Sequence, residues 1–146
     1  MKYGIIVSEF NSEITEPLLE ECLRGFKEQG IRPEVVRVPG AWEIPLAAKK
    51  YILAKEPQAV VALGAVIKGE TDHFRQVCDS SARGLMQVQI ETGVPIVFEV
   101  LMADTVKKAR ARTTKGYSAA KVATTLQKLY LKLGKKCFHI MFYLDF

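Results

Sequence analysis

The segment Gly64-Ala65-Val66-Ile67-Lys68-Gly69-Glu70-Thr71-Asp72-His73-Phe74 holds the densest chemistry in the chain. It carries two glycines, a hydroxyl and one of only two histidines. An apolar, β-rich run, Ala59-Val60-Val61-Ala62-Leu63, leads into it, and a long helical pattern follows. The segment therefore reads as the carboxyl end of a buried strand turning into a helix, the place where open α/β sheets bind ligands. A glycine-rich turn lets backbone amides approach a phosphate, and the helix N-terminus behind it favours the anion. A histidine in that position can move protons near neutral pH.

The same stretch nearly matches a P-loop. Gly64 to Thr71 fits G-x-x-x-x-G-x-T, but Glu70 stands where the phosphate-binding lysine belongs. A carboxylate there repels a triphosphate, and Ala65-Val66-Ile67 looks like strand. Nucleoside triphosphate binding is disfavoured. The three cysteines, Cys22, Cys78 and Cys137, form no C-x-x-C and no metal spacing, so they read as inert thiols in a reducing compartment. No metal and no cofactor is expected.

The elements that must position these groups follow from periodicity. Ile5-Ile6-Val7 predicts strand one. Apolar residues at Leu18, Leu19, Cys22, Leu23 and Phe26 predict a helix over 14–29, with Thr15 as N-cap, Pro17 just inside and Gly30 at its end. Pro33 to Val38 is strand two. Trp42 to Ala54 is helix two, and strand three runs from Ala59 to Leu63 or on to Ile67. Asp72 to Thr92 is helix three, and Val94 to Leu101 is strand four. Ala103-Asp104-Thr105 opens a fourth helix. Lys107–Arg112 and Tyr117–Leu133 are helical, broken at Lys115-Gly116. The alternation predicts an α/β fold: three αβα layers around a four-stranded parallel sheet, flavodoxin-like and doubly wound.

At 146 residues the chain is long enough for one domain with a real core. The domain is expected over 1–134, with an apolar tail, 135–146, after a helix end at Gly134. That tail is open to three readings: an edge strand, a partner-binding segment or a divergent end. No apolar run reaches membrane-span length and no export signal is visible, so a cytoplasmic protein without membrane contact is expected. The net charge of +5 concentrates at helical spacing over 107–136 without interleaved aromatics. That pattern suits a solvated face or an anionic small ligand better than nucleic acid.

Five blocks, in order, resemble 6,7-dimethyl-8-ribityllumazine synthases. They are Ser8-Glu9-Phe10-Asn11, Val38-Pro39-Gly40-Ala41-Trp42-Glu43-Ile44-Pro45, Gly64 to Phe74, Pro95-Ile96-Val97-Phe98 and Ala109 to Gly116. The likeness spans roughly residues 3 to 133. It implies the condensation of 5-amino-6-(D-ribitylamino)uracil with 3,4-dihydroxy-2-butanone 4-phosphate, a step of riboflavin biosynthesis that needs no cofactor. It also implies a homo-oligomer, a pentamer or a multiple of pentamers, with each site shared between subunits.

Residue by residue, the resemblance makes His73 the proton donor and acceptor. It places Phe10 on the pyrimidine, and the Ala41-Trp42-Glu43 backbone with the Glu43 carboxylate on the ribityl chain and ring. Ala65, Val66 and Ile67 would border the pyrimidine through backbone groups. Gly69, Glu70 and Thr71 would form the phosphate turn, binding through amides and the Thr71 hydroxyl with the Glu70 side chain pointing away. Phe98 and Arg112 would come from the neighbouring subunit, Arg112 to the phosphate, and Lys115 would lie near the substrates. Each has an ordinary alternative: Phe10 in the core, Glu43 as a helix-dipole partner, Arg112 as a solvated helix residue. The chain also departs from the family. Only Thr113-Thr114 separate Arg112 from Lys115, Ser118 replaces a glutamate, Glu99 a glycine and Met102 a threonine. A non-catalytic ligand-binding or assembly protein on the same fold is the alternative these departures leave open.

Overall fold

The computed structural model describes the backbone of residues 1–141 and the side chains of residues 1–134. Four strands, β1 (Tyr3–Ser8), β2 (Glu34–Val38), β3 (Ala59–Ile67) and β4 (Ile96–Ala103), form one all-parallel sheet in the order β2-β1-β3-β4. Helices α1 (Ser12–Lys27), α2 (Ile44–Lys55), α3 (His73–Thr92), α4 (Val106–Arg110) and α5 (Lys115–Met141) connect and flank them. The expected three-layer, flavodoxin-like fold is present.

Strand alternation divides the interior in two. Ile5, Val7, Val61 and Leu63 face α1 and α5, where Leu18, Cys22, Phe26 and Ala120 meet them. Ile6, Val60 and Ala62 face α2 and α3, against Ile44, Ala48 and Leu85. β3 is therefore buried on both faces, which is why it reads as a continuous apolar run. Each fully buried Val, Leu, Ile or Phe among them contributes roughly 1.5–3 kcal/mol on leaving water. Between β1 and β3 the chain direction of the crossovers reverses, opening a crevice at their carboxyl ends.

Four local expectations need correction. α1 starts at Ser12, three residues before Thr15. Asn11, in the left-handed region at φ 60°, turns the chain into it, and the Thr15 hydroxyl is buried without a partner. β4 begins at Ile96, because Val94 and Ile96 donate their N–H groups to Thr92 and Gln89 side chains at the end of α3. The helix break falls at 111–114, not at Lys115-Gly116. Gly116 lies inside α5 because that helix presses on α1: a Cβ there would stand 2.1 Å from the Leu18 carbonyl oxygen. Finally, α5 continues through Gly134 to Met141, so no helix end falls at 134; residues 142–146 lie outside the described residues.

Candidate active site

The loops after β1 and β2 are stitched together. Glu9 N–H donates to the Val38 carbonyl at 2.8 Å, and Phe10 N–H to the Pro39 carbonyl at 2.9 Å. The Asn11 side-chain amide then donates to the carbonyl of Ala65 at 3.0 Å, tying the same loop to the end of β3. With its backbone turned left-handed, Asn11 leaves Phe10 pointing outward, 71% exposed.

After Gly40 the chain makes a single 3-10 turn, Ala41–Glu43. The Glu43 carboxylate accepts from the Gly40 N–H at 2.9 Å, so it caps its own turn. That cap fixes Trp42 outward, 58% exposed, while Ala41 is buried beneath. Pro45 stands at the second position of α2, where its missing N–H costs nothing.

Beyond β3 the turn carries Gly69, Glu70 and Thr71, and Asp72 stands just ahead of α3 without a side-chain cap to it. The two glycines of this segment have different duties. Gly64 lies buried within β3, where a Cβ would come within 3.0 Å of Ser8 Oγ and 3.2 Å of Val100. Only Gly69 belongs to the turn, in open space. The Thr71 hydroxyl oxygen sits 3.4 Å from the His73 backbone nitrogen. His73 is exposed at the first position of α3, so its imidazole and the free N–H groups of that helix end share one edge.

These three loops surround a cavity of about 460 Å³, a size typical of small-molecule sites. Phe10, Ala41, Trp42, Glu43, Ala65, Val66, Ile67, Thr71 and His73 line it, nine of the thirteen residues singled out from sequence. Gly69 of the expected phosphate turn lines it too, as do Asn11, Gly40, Phe74 and Val77, to which no role had been given. Asn11 was legible in principle: asparagine between a strand and a helix is a standard left-handed residue. No group of three or more His, Cys, Asp or Glu capable of holding a metal exists among the described residues.

Glu70, Phe98, Arg112 and Lys115 lie outside this cavity. Glu70 is exposed on the turn. Phe98 is on the edge strand β4, 37% exposed. Arg112 donates to the Met102 carbonyl at 3.1 Å, and Met102 is the register partner of the cavity-lining Val66. Lys115 lies 4.0 Å from the Glu99 carboxylate. Burial pushes the Glu99 carboxyl above the ordinary carboxylate range, an effect that Lys115 and then Arg112 oppose.

An open parallel sheet with a pocket outside the carboxyl ends of β1 and β3 makes this a doubly wound α/β protein with a pocket at its switch point, where such folds bind ligands. The family profile of 6,7-dimethyl-8-ribityllumazine synthase matches residues 1–130. The 6,7-dimethyl-8-ribityllumazine synthase of Salinibacter ruber (strain DSM 13855 / M31) is 40% identical over 140 residues, 90% of each chain. The chain belongs to the 6,7-dimethyl-8-ribityllumazine synthase family. A solved structure, that of Drosophila Piwi, aligns with 86% of this chain at 17% identity and a TM-score of 0.51. This chain spans 16% of that one, and the likeness bears on the fold alone.

Proposed function

We propose that the chain performs the reaction of its family, a transferase step of riboflavin biosynthesis. It condenses 5-amino-6-(D-ribitylamino)uracil with 3,4-dihydroxy-2-butanone 4-phosphate to 6,7-dimethyl-8-ribityllumazine, releasing phosphate and water. One observation carries the reading most. The cavity gathers two exposed aromatics, a backbone turn with a hydroxyl and a histidine at a helix N-terminus in a member of this family.

That geometry supports the following roles. Phe10 and Trp42 offer flat apolar faces to a pyrimidine. The Glu43 carboxylate, held by the Gly40 amide, keeps lone pairs for the ribityl hydroxyls. Backbone groups of Ala65, Val66 and Ile67 border the ring. Gly69, the Glu70 amide and Thr71 bind the phosphate at the α3 N-terminus. His73 receives the proton lost when the amine attacks the ketone and returns it as water or phosphate departs. Holding both substrates in one pocket removes much of the barrier by itself.

Phe98, Arg112 and Lys115 complete the site from a neighbouring copy in a homo-oligomer, a pentamer or multiple of pentamers. The exposure of Phe10 and Trp42 supports this, since such faces on a single chain await a cover. No helix of the described residues is long and apolar enough to cross a membrane. A cytoplasmic location fits the reading.

The test is absorbance or fluorescence detection of lumazine from the two purified substrates, with and without a chelator. Turnover that survives chelation is expected. Binding of the pyrimidine without turnover would make the chain a ligand-binding relative instead.

A further inference from the structure

Glu99 is an expensive residue where it stands. It sits on β4 in register with Leu63, on the sheet face whose strand neighbours Val97 and Leu101 are core residues. Its side chain is 18% exposed. A carboxylate half-withdrawn from water needs compensation. Here that comes from Lys115, whose ammonium lies 4.0 Å away at the first position of α5. Arg112 lies close enough to favour the charged form as well, yet its hydrogen bond goes to the neutral Met102 carbonyl. The two cations are thus held differently: Lys115 is the carboxylate's ion-pair partner, whereas Arg112 is positioned by a backbone oxygen and feels the same carboxylate from further off.

We propose that Glu99 is a positioning residue that limits phosphate affinity: its carboxylate pairs with Lys115 and offsets part of the positive potential around Arg112, the guanidinium assigned to the phosphate. The inference rests on the reading above that Arg112 receives the substrate phosphate. Inorganic phosphate is a product, and a corner with two free cations beside a helix N-terminus would hold it too long. A carboxylate beside the pair lowers the local potential while keeping the guanidinium fork intact.

The sign of the effect makes the test decisive. Inhibition by inorganic phosphate is measured against the phosphorylated ketone, at low and high salt, in wild type, Glu99→Gln, Glu99→Asp, Arg112→Ala and the double variant Glu99→Gln/Lys115→Met. Glu99→Gln should tighten phosphate inhibition on the order of three- to ten-fold at low salt, with the gap closing at high salt. Glu99→Asp keeps the charge and should stay within about two-fold of wild type. The double variant restores the net charge of the corner, so its phosphate inhibition should fall back from that of Glu99→Gln towards wild type, whatever the loss of Lys115 from the site does to turnover. Damage to packing alone would weaken phosphate binding, the opposite direction. Unchanged or weaker inhibition in Glu99→Gln, or a double variant no closer to wild type, overturns the proposal. If Arg112→Ala leaves phosphate inhibition untouched, the phosphate reading of Arg112 fails instead. Weakening by Arg112→Ala together with an inert Glu99→Gln removes only the role given to Glu99.

Discussion

The side-chain amide of Asn11 reaches 54 residues along the sequence to the carbonyl of Ala65, at 3.0 Å. One hydrogen bond thus joins the loop that presents Phe10 to the strand end that borders the pocket floor. Asn11→Ala should lose that bond and strain the left-handed backbone, costing about 1–3 kcal/mol. The Michaelis constant for the pyrimidine should rise several-fold. Asn11→Gly should recover the backbone part of the stability and not the binding. Identical binding in all three proteins would show that the loop needs no such tie.

His73→Ala should lower turnover more than it weakens either substrate. General acid-base groups contribute on the order of a hundred-fold or more, less where water can substitute. His73 is exposed, so the melting temperature should barely move. A turnover number equal to wild type removes His73 from the mechanism.

Arg112→Lys should damage the apparent affinity for the phosphorylated ketone more than that for the pyrimidine, because lysine keeps the charge and loses the planar fork. Arg112 lies outside the cavity of its own chain, which makes complementation informative. Inactive His73→Ala and Arg112→Ala proteins, dissociated and reassembled together, should regain part of the activity. Proven mixed oligomers that stay inactive contradict a shared site.

Gly116→Ala tests the α1–α5 contact. The new methyl would meet the Leu18 carbonyl oxygen at 2.1 Å and the Cys22 nitrogen at 3.0 Å, both backbone atoms that cannot swing aside. The helices must part, at a cost of about 2–3 kcal/mol and a melting temperature lower by roughly 6–12 °C. Gly134→Ala, with nothing within 4 Å, is the control and should be neutral or slightly stabilising. Equal melting temperatures for the two variants would mean that the contact yields freely.

Glu99 also gives stability a pH signature. Its folded carboxyl titrates above the unfolded value, chiefly through burial. Between those two values the folded state holds more protons than the unfolded one, so this group's contribution to stability falls as pH rises through the window. Above it, the remaining compensation is Lys115 on α5 and Arg112 before it, while the facing Cys22 thiol on α1, itself pushed up to about 12 by burial and then by Glu99, stays neutral. Glu99→Gln should remove this step, seen as a flatter melting-temperature profile just above the ordinary carboxylate range. Superimposable profiles for the two proteins would show that Glu99 titrates alike folded and unfolded.

The parallel sheet was legible because β3 is apolar on both faces and because turn residues punctuate each strand. The pocket was legible where local chemistry repeats a family pattern: a capped turn at Glu43 and a histidine opening a helix. Glycine was harder to read in two places. Gly116 looks the same in sequence whether a helix breaks or a second backbone presses on it, and the packing duty of Gly64 inside β3 has no sequence signature of its own. Thr15 misled for a related reason. A hydroxyl residue ahead of an apolar stripe suggests a cap, but the φ of Asn11 had already turned the chain. Phe98, Arg112 and Lys115 lie outside the cavity their own chain forms, so nothing in the local pattern of one chain ties them to it.

The tight seam between α1 and α5 has a consequence for synthesis. It is secured by Gln29 and Thr124, 95 residues apart, and by Glu28 and Tyr117, 89 apart. A ribosome adding about 5–20 residues per second leaves α1 waiting roughly 5–20 s for its cover. During that interval the face of Leu18, Cys22 and Gly25 is open to solvent, and chaperones have their best chance to hold the nascent chain.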